Sequence, residues 1–221
     1  MDSKIVSREI RNLIWPQLKT AGFGRFTTRV AWRHNADSID VLDFQSLSKY
    51  NADVLDITAH SFSVRLGKYL LYVPPVWSVK TKDGCRLPAE YECLFRGSIL
   101  PRVFAAPSSR NTWSINSKGT NLMDCLEDVA HQLTDSMAWF SRLDSRVEVL
   151  RILLEEDPSM ERLWGFGRNP SPSRSYHTGY VALAMGQTDT ATAKLQEAVD
   201  SECYVNLFAS VGEAIKRAQF D

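Results

Sequence analysis

RFTTRVAWRH, residues 25–34, is the stretch whose reading decides the fold class. Phe26, Thr28, Val30 and Trp32 alternate with Arg25, Thr27, Arg29, Ala31 and Arg33, the period of two that a half-buried strand requires. Read as one strand, the stretch turns an aromatic side inward and sets Arg25, Arg29 and Arg33 in a row on the other side. These three, with Arg65 on a neighbouring strand, are the candidate binding residues. Strand residues four apart stand about 13 Å apart, at roughly 3.3 Å per residue, so such a row cannot grip a single phosphate. It suits a nucleic-acid backbone or an acidic protein face, or it simply solvates the sheet and guards its edge.

Outward from this stretch, NADS (35–38) reads as a turn and IDVLDFQS (39–46) as the partner strand of a hairpin, with Asp40 and Asp43 placed to neutralise arginines by cross-strand pairing. SKYNADVLDITAH fits a short helix or a further strand. SFSVRLGKYLLYVPP returns to strand character, with Phe62, Val64 and Leu66 on one face, Ser63 and Arg65 on the other, a bulge or bend expected at Gly67, and Pro74 and Pro75 ending it. EYECLFRGSI supplies another strand. Ahead of the sheet, Val6, Ile10, Leu13, Ile14 and Leu18 follow the helical stripe, with Pro16 expected to kink or divide the helix and Gly22 to cap its end.

From Asn121 the period becomes helical, with one stripe running from Leu122 to Phe140 and another from Val147 to Leu154, which predicts two helices over the apolar side of the sheet. GFGRNPSPSRSY (165–176) marks a boundary. Beyond it, two helices joined at GQTD carry small residues at Ala182, Gly186, Ala191 and Ala198, like one tetratricopeptide hairpin, and a third helix runs from about 205 to 218. The expectation is an α+β fold: an antiparallel sheet with an N-terminal helix and covering helices over residues 1–163, and a C-terminal helical subdomain over residues 164–221, one tetratricopeptide-like hairpin plus a terminal helix.

The 26 basic and 26 acidic residues cancel, so no global field draws the chain to nucleic acid or an anionic membrane. Charge is nonetheless uneven: Lys4, Arg8, Arg11, Lys19, Arg25, Arg29 and Arg33 against Asp2 and Glu9 leave residues 1–35 at +5, and the remainder at −5. The first ten residues hold no apolar leader core, and no run of about eighteen uncharged apolar residues follows; a cytoplasmic, non-membrane protein is expected. Cys85, Cys93, Cys125 and Cys203 form no C-x-x-C pair, and His34, His60, His131 and His177 stand at no metal-ligand spacing. No metal, no cofactor and no catalytic residue is assigned, since there is no G-x-S-x-G elbow and GFGRNP lacks a Walker lysine. The six tryptophans read as core or interface anchors.

The order of a basic amphipathic helix, a GF leading into RFTTRVAWRH, DFQSLSKYN with Gln45, SFSVRLGKYLLYVP, NTWSI and a terminal helical region resembles the bacterial domain-of-unknown-function family numbered 4304, over roughly residues 5–155. Pro16 and the stretch 74–93 depart from that pattern. The resemblance implies an α+β fold without an established reaction and suggests an immunity or defence-accessory role. The expected function is therefore a non-enzymatic binding module whose partner is another protein, such as a toxin or defence-complex subunit. The alternative is a nucleic-acid-associated accessory protein using Arg25, Arg29, Arg33 and Arg65; steep salt dependence would distinguish it.

Overall fold

The computed structural model describes residues 3–155 and 171–218. Helix α1 (Ser3–Thr20) buries Val6, Ile10, Ile14 and Leu18 completely. Contrary to the expectation from sequence, Pro16 neither ends nor divides it. Pro16 and Asn12, whose carbonyl loses its helical donor, both lie on the exposed side, where water can take the donor's place. Gly22, at φ +90°, then reverses the chain, with the Phe23 amide donating back to the Leu18 carbonyl (3.0 Å).

The stretch 25–34 is not one strand. It folds on itself as β1 (Arg25–Phe26) and β2 (Val30–His34), antiparallel, with Arg25 opposite Trp32 and Phe26 opposite Ala31. Thr27 makes the reversal: its Oγ1 accepts the amides of Arg29 (3.3 Å) and Val30 (2.9 Å), and its own amide donates to the Val30 carbonyl (2.8 Å). Phe26 and Trp32 consequently face opposite sides of the sheet, whereas the alternation pattern placed them together.

Next come β3 (Ser38–Ser46), the short helix α2 (Lys49–Val54) capped by Ser48, and β4 (Phe62–Leu70). A separate ribbon of β5 (Thr81–Lys82) and β6 (Cys85–Arg86) precedes β7 (Phe95–Ile99), β8 (Ala105–Ala106) and β9 (Ser109–Trp113). Among the described residues, the main sheet runs β1-β2-β3-β4-β9-β8, with β7 also paired to β4 and every pairing antiparallel. Helices α3 (Leu122–His131) and α4 (Leu133–Arg142) follow, then α5 (Arg146–Leu154), α6 (Pro172–Ala184), α7 (Thr188–Asp200) and α8 (Val211–Arg217). The architecture is α+β, as the sequence predicts.

On the inner face, Ala31, Leu42, Phe44, Phe62, Val64 and Trp113 pack against α1, α3 and α4. Their aromatic rings run in sequence, Trp15 to Phe44 (5.7 Å), Phe44 to Phe62 (5.5 Å) and Phe62 to Trp113 (5.4 Å). The outer face is divided. Trp32, Ile39, Val41 and Tyr69 are covered by the segment between β4 and β7, onto which Trp32 Nε1 donates at the Pro88 carbonyl (2.8 Å). Asp43, Gln45, Ser63, Arg65 and Ser98 make the other half polar.

Gly67 is not a bulge: it stays in register between Val41 and Arg96. Glycine is needed there because a Cβ would stand 2.6 Å from Cys93 Sγ and 3.3 Å from the Glu90 carbonyl. The C-terminal helices share a second core with Leu70, Val73, Leu94 and Phe95. In their hairpin Gly179 rather than Gly186 permits close approach, a Cβ at Gly179 meeting Leu195 Cγ at 2.7 Å. The third helix is shorter than expected, because Tyr204 and Phe208 turn inward to stack on Tyr176. The expected boundary at 163–164 and the GFGRNP loop lie outside the described residues.

Two charges lie fully buried at the seam between sheet and helices. Lys68 Nζ stands 2.7 Å from Asp40 Oδ1, donates to the Phe140 carbonyl (3.4 Å) and reaches Asp144, while Asp40 Oδ2 takes Arg33 Nε (2.7 Å) and Asn35 Nδ2 (3.0 Å). Removing one member leaves an uncompensated buried charge, so Asp40→Asn is expected to lower stability by about 3–5 kcal/mol in urea unfolding. The double variant Asp40→Asn/Lys68→Met should lose less than the two single changes combined; strict additivity would show that the pair is uncoupled.

Candidate functional site

The arginine row does not form. Arg25 turns to the outer face beside Trp32, with Nη1 3.3 Å from Asp83 and Nη2 3.3 Å from Cys85 Sγ. Arg33 turns to the inner face, where it pairs with Asp40, donates to the Ala21 carbonyl (3.0 Å) and lies over the rings of Phe23 (5.4 Å) and Phe140 (5.8 Å). Arg29 sits in the turn between β1 and β2, and Arg65 on the outer face of β4 donates to Ser98 Oγ (2.6 Å). Of the four, only Arg29 and Arg65 flank a common group, Asp43. The cross-strand neutralisation expected of Asp40 is present as its pair with Arg33.

A concavity lies elsewhere, where the segment after β4 meets the C-terminal helices. It encloses about 560 Å³, walled by Tyr69, by the Pro74–Pro75 turn with Val76 and Val79, by residues 91–94, and by Ser173, His177 and Tyr204. Nothing in the pattern 71–94 marks it in the sequence, since its walls come from loops and turns brought together by packing. Side chains of the helical region clamp the proline wall: Tyr176 donates its hydroxyl to the Pro74 carbonyl (2.9 Å), and Arg217 reaches the Pro75 carbonyl. At the mouth Trp77 is 79% exposed and Tyr91 71%. Among the described tryptophans this one is strongly exposed, whereas Trp15, Trp32 and Trp113 are buried.

Few charges line the cleft. Arg96 forks onto the buried Glu90 carboxylate (2.8 and 2.9 Å), and Glu92 accepts the Ala89 amide (2.6 Å). Burial, reinforced by the negative charges of Glu90 and Glu92, pushes the Cys93 thiol well above its ordinary range, and the thiol points at the Ala89 carbonyl (3.5 Å). His177 Nδ1 is 2.6 Å from the Ser173 carbonyl; a carbonyl only accepts, so Nδ1 carries the hydrogen. Burial lowers this imidazole to about 4 despite that bond, and raises the Tyr204 phenol to about 12. At neutral pH the cleft therefore presents a thiol, a neutral imidazole and a protonated phenol, which suit packing and hydrogen bonding more than nucleophilic attack.

Among the described residues no group of three or more His, Cys, Asp or Glu side chains could hold a metal ion, and no helix is long and apolar enough to cross a membrane. No family model matches the chain, and no curated protein or solved structure matches it. The resemblance to family 4304 thus rests on the quoted motifs alone.

Two outcomes follow for the native protein. A thiol reagent at pH 8 should modify the exposed Cys203 first and leave Cys93 and Cys125 unmodified until unfolding, because the latter two are buried and raised; rapid labelling of Cys93 would contradict the cleft chemistry. His177, lowered from 6.5 to about 4 in the fold, contributes stability above its unfolded value that is lost as pH falls from about 6.5 toward 4. Asp43, raised to about 6, works in the opposite sense, its contribution being lost as pH rises through that value. Replacing the imidazole by His177→Gln should accordingly shrink the loss of urea midpoint between pH 7 and 4.5.

Proposed function

We propose that this chain is a non-enzymatic protein-binding module of the bacterial cytoplasm, holding an apolar, uncharged segment of a partner protein in the cleft beside Trp77 and Tyr91. The immunity-like or defence-accessory setting, with a toxin or defence-complex subunit as partner, is the one the sequence resemblance suggests. One observation carries the reading: a large indole and a phenol stand largely in solvent at the mouth of a mostly apolar cavity. Trp and Tyr are the residue types that dominate binding energy at protein interfaces, and leaving such a ring in water is unfavourable until a partner covers it. Arg96 is paired with Glu90, which leaves the Glu92 carboxylate, bonded to the Ala89 amide, as the charge on this wall, so an anionic occupant is disfavoured.

The nucleic-acid alternative loses its motivating feature, since Arg25 and Arg33 are turned to opposite faces and each engages a carboxylate. It would need a continuous positive track, and the four guanidinium groups are separated, with Arg25 and Arg33 taken up by Asp83 and Asp40.

Panning a random heptapeptide library against the wild-type protein and against Trp77→Ala tests the proposal. Enriched sequences should be apolar and weakly charged, and their affinity should fall by about 30-fold in Trp77→Ala, the equivalent of about 2 kcal/mol. Both variants Trp77→Ala and Tyr91→Ala should keep the wild-type unfolding midpoint, as the truncated rings are exposed. Peptides that bind wild type and Trp77→Ala alike would move the interface away from the cleft.

A further inference from the structure

We propose that the polar half of the outer sheet face, between Arg29 and Arg65, is a binding site for a small oxyanion, a sulfate-, phosphate- or carboxylate-like group. The site is distinct from the cleft and does not depend on its reading. Arg29 Nη1 is shielded from solvent and has no hydrogen-bond partner. Arg29 as a whole is only half-buried, but a guanidinium N–H shut away from water without an acceptor is unfavourable, and an acceptor oxygen supplied by a ligand would relieve it.

The surroundings are arranged as a receptor. Asp43 stands opposite Val30 on one side and Arg65 on the other, yet neither Arg29 nor Arg65 closes an ion pair onto it. Arg65 is held instead by neutral groups: Ser98 Oγ at 2.6 Å and, with the Asn111 amide turned to satisfy its neighbours, the amide oxygen at 2.9 Å from Nη2. Ser63 and Thr112, joined at 3.0 Å, form a buried hydroxyl floor beside them. With Glu90 taken up by Arg96, the two guanidinium groups face one remaining carboxylate, Asp43, and guanidinium forks match planar and tetrahedral oxyanions.

Binding here is linked to a proton. The groups facing Asp43 are Gln45 on its own strand, Glu90 from the 90–92 turn, Arg29 from the β1–β2 turn and Arg65 from β4. Burial, with Glu90, outweighs Gln45 and the two arginines and raises the carboxyl to about 6. An added anion raises it further, so binding takes up a proton and strengthens as pH falls through that range.

Inorganic sulfate is the probe, because its charge is constant across the pH range used, with acetate as a planar comparison. Arginine side-chain NMR signals are followed at pH 5.5 and 7.5, with chloride holding ionic strength constant. Saturable shifts at Arg29 with either anion, tightening by roughly tenfold at the lower pH, the factor that one pH unit of coupling carries, support the site. Arg29→Gln should abolish saturation. Asp43→Asn should remove the pH dependence and bind at pH 7.5 as tightly as wild type does at 5.5; if Arg29→Gln does not fold, this variant decides alone. Linear, non-saturating shifts with both anions, or an unchanged pH dependence in Asp43→Asn, would overturn the proposal.

Discussion

Lys68 carries an ammonium group into the seam between the sheet and its helices, where no water reaches it, and the surrounding structure is organised to satisfy that charge. Asp40 on β3 meets it across the strand pair, Arg33 on β2 and Asn35 after it complete the carboxylate, and the end of α4 supplies the Phe140 carbonyl and, just beyond, Asp144. One buried cation therefore couples three strands and a helix. A one-residue slip of β3 against β4 would move Asp40 to the opposite face and strand the lysine, so the pair specifies register as well as docking.

With register set, the sheet's two sides diverge in use. The inner side is filled by α1, α3 and α4. The outer side is half covered by the segment after β4, pinned through Trp32 to Pro88 and allowed close approach by Gly67. That same segment is held at its other end by Tyr176 and Arg217 from the helical region, and the cleft is the space left between its two anchorages. The Glu90–Arg96 fork consumes two of the charges beside the cleft.

The arginines show how a strand pattern can mislead. Alternation along 25–34 is equally satisfied by one extended strand and by two short strands folded back at a turn. Thr27, whose hydroxyl accepts two successive amides, selects the second. Reversal changes which side each residue faces, so Arg33 joins the inner charge cluster while Arg25 joins the outer cover. Of the residues singled out by charge alone, Arg29 and Arg65 still share a neighbourhood because the β2–β3–β4 register brings Asp43 between them.

What the sequence determined by itself was what periodicity and punctuation can encode: the α+β class, the N-terminal amphipathic helix ending at Gly22, the inner and outer sets of β4, and the helical hairpin after residue 171, because apolar spacing and turn chemistry are local properties. Tertiary structure alone decided the cleft, the buried Lys68–Asp40 pair and the fate of the arginine row. Each joins residues far apart in the chain, Tyr69 with His177 or Lys68 with Asp144, and no local pattern records which distant side chain will lie within reach of a charge or a ring.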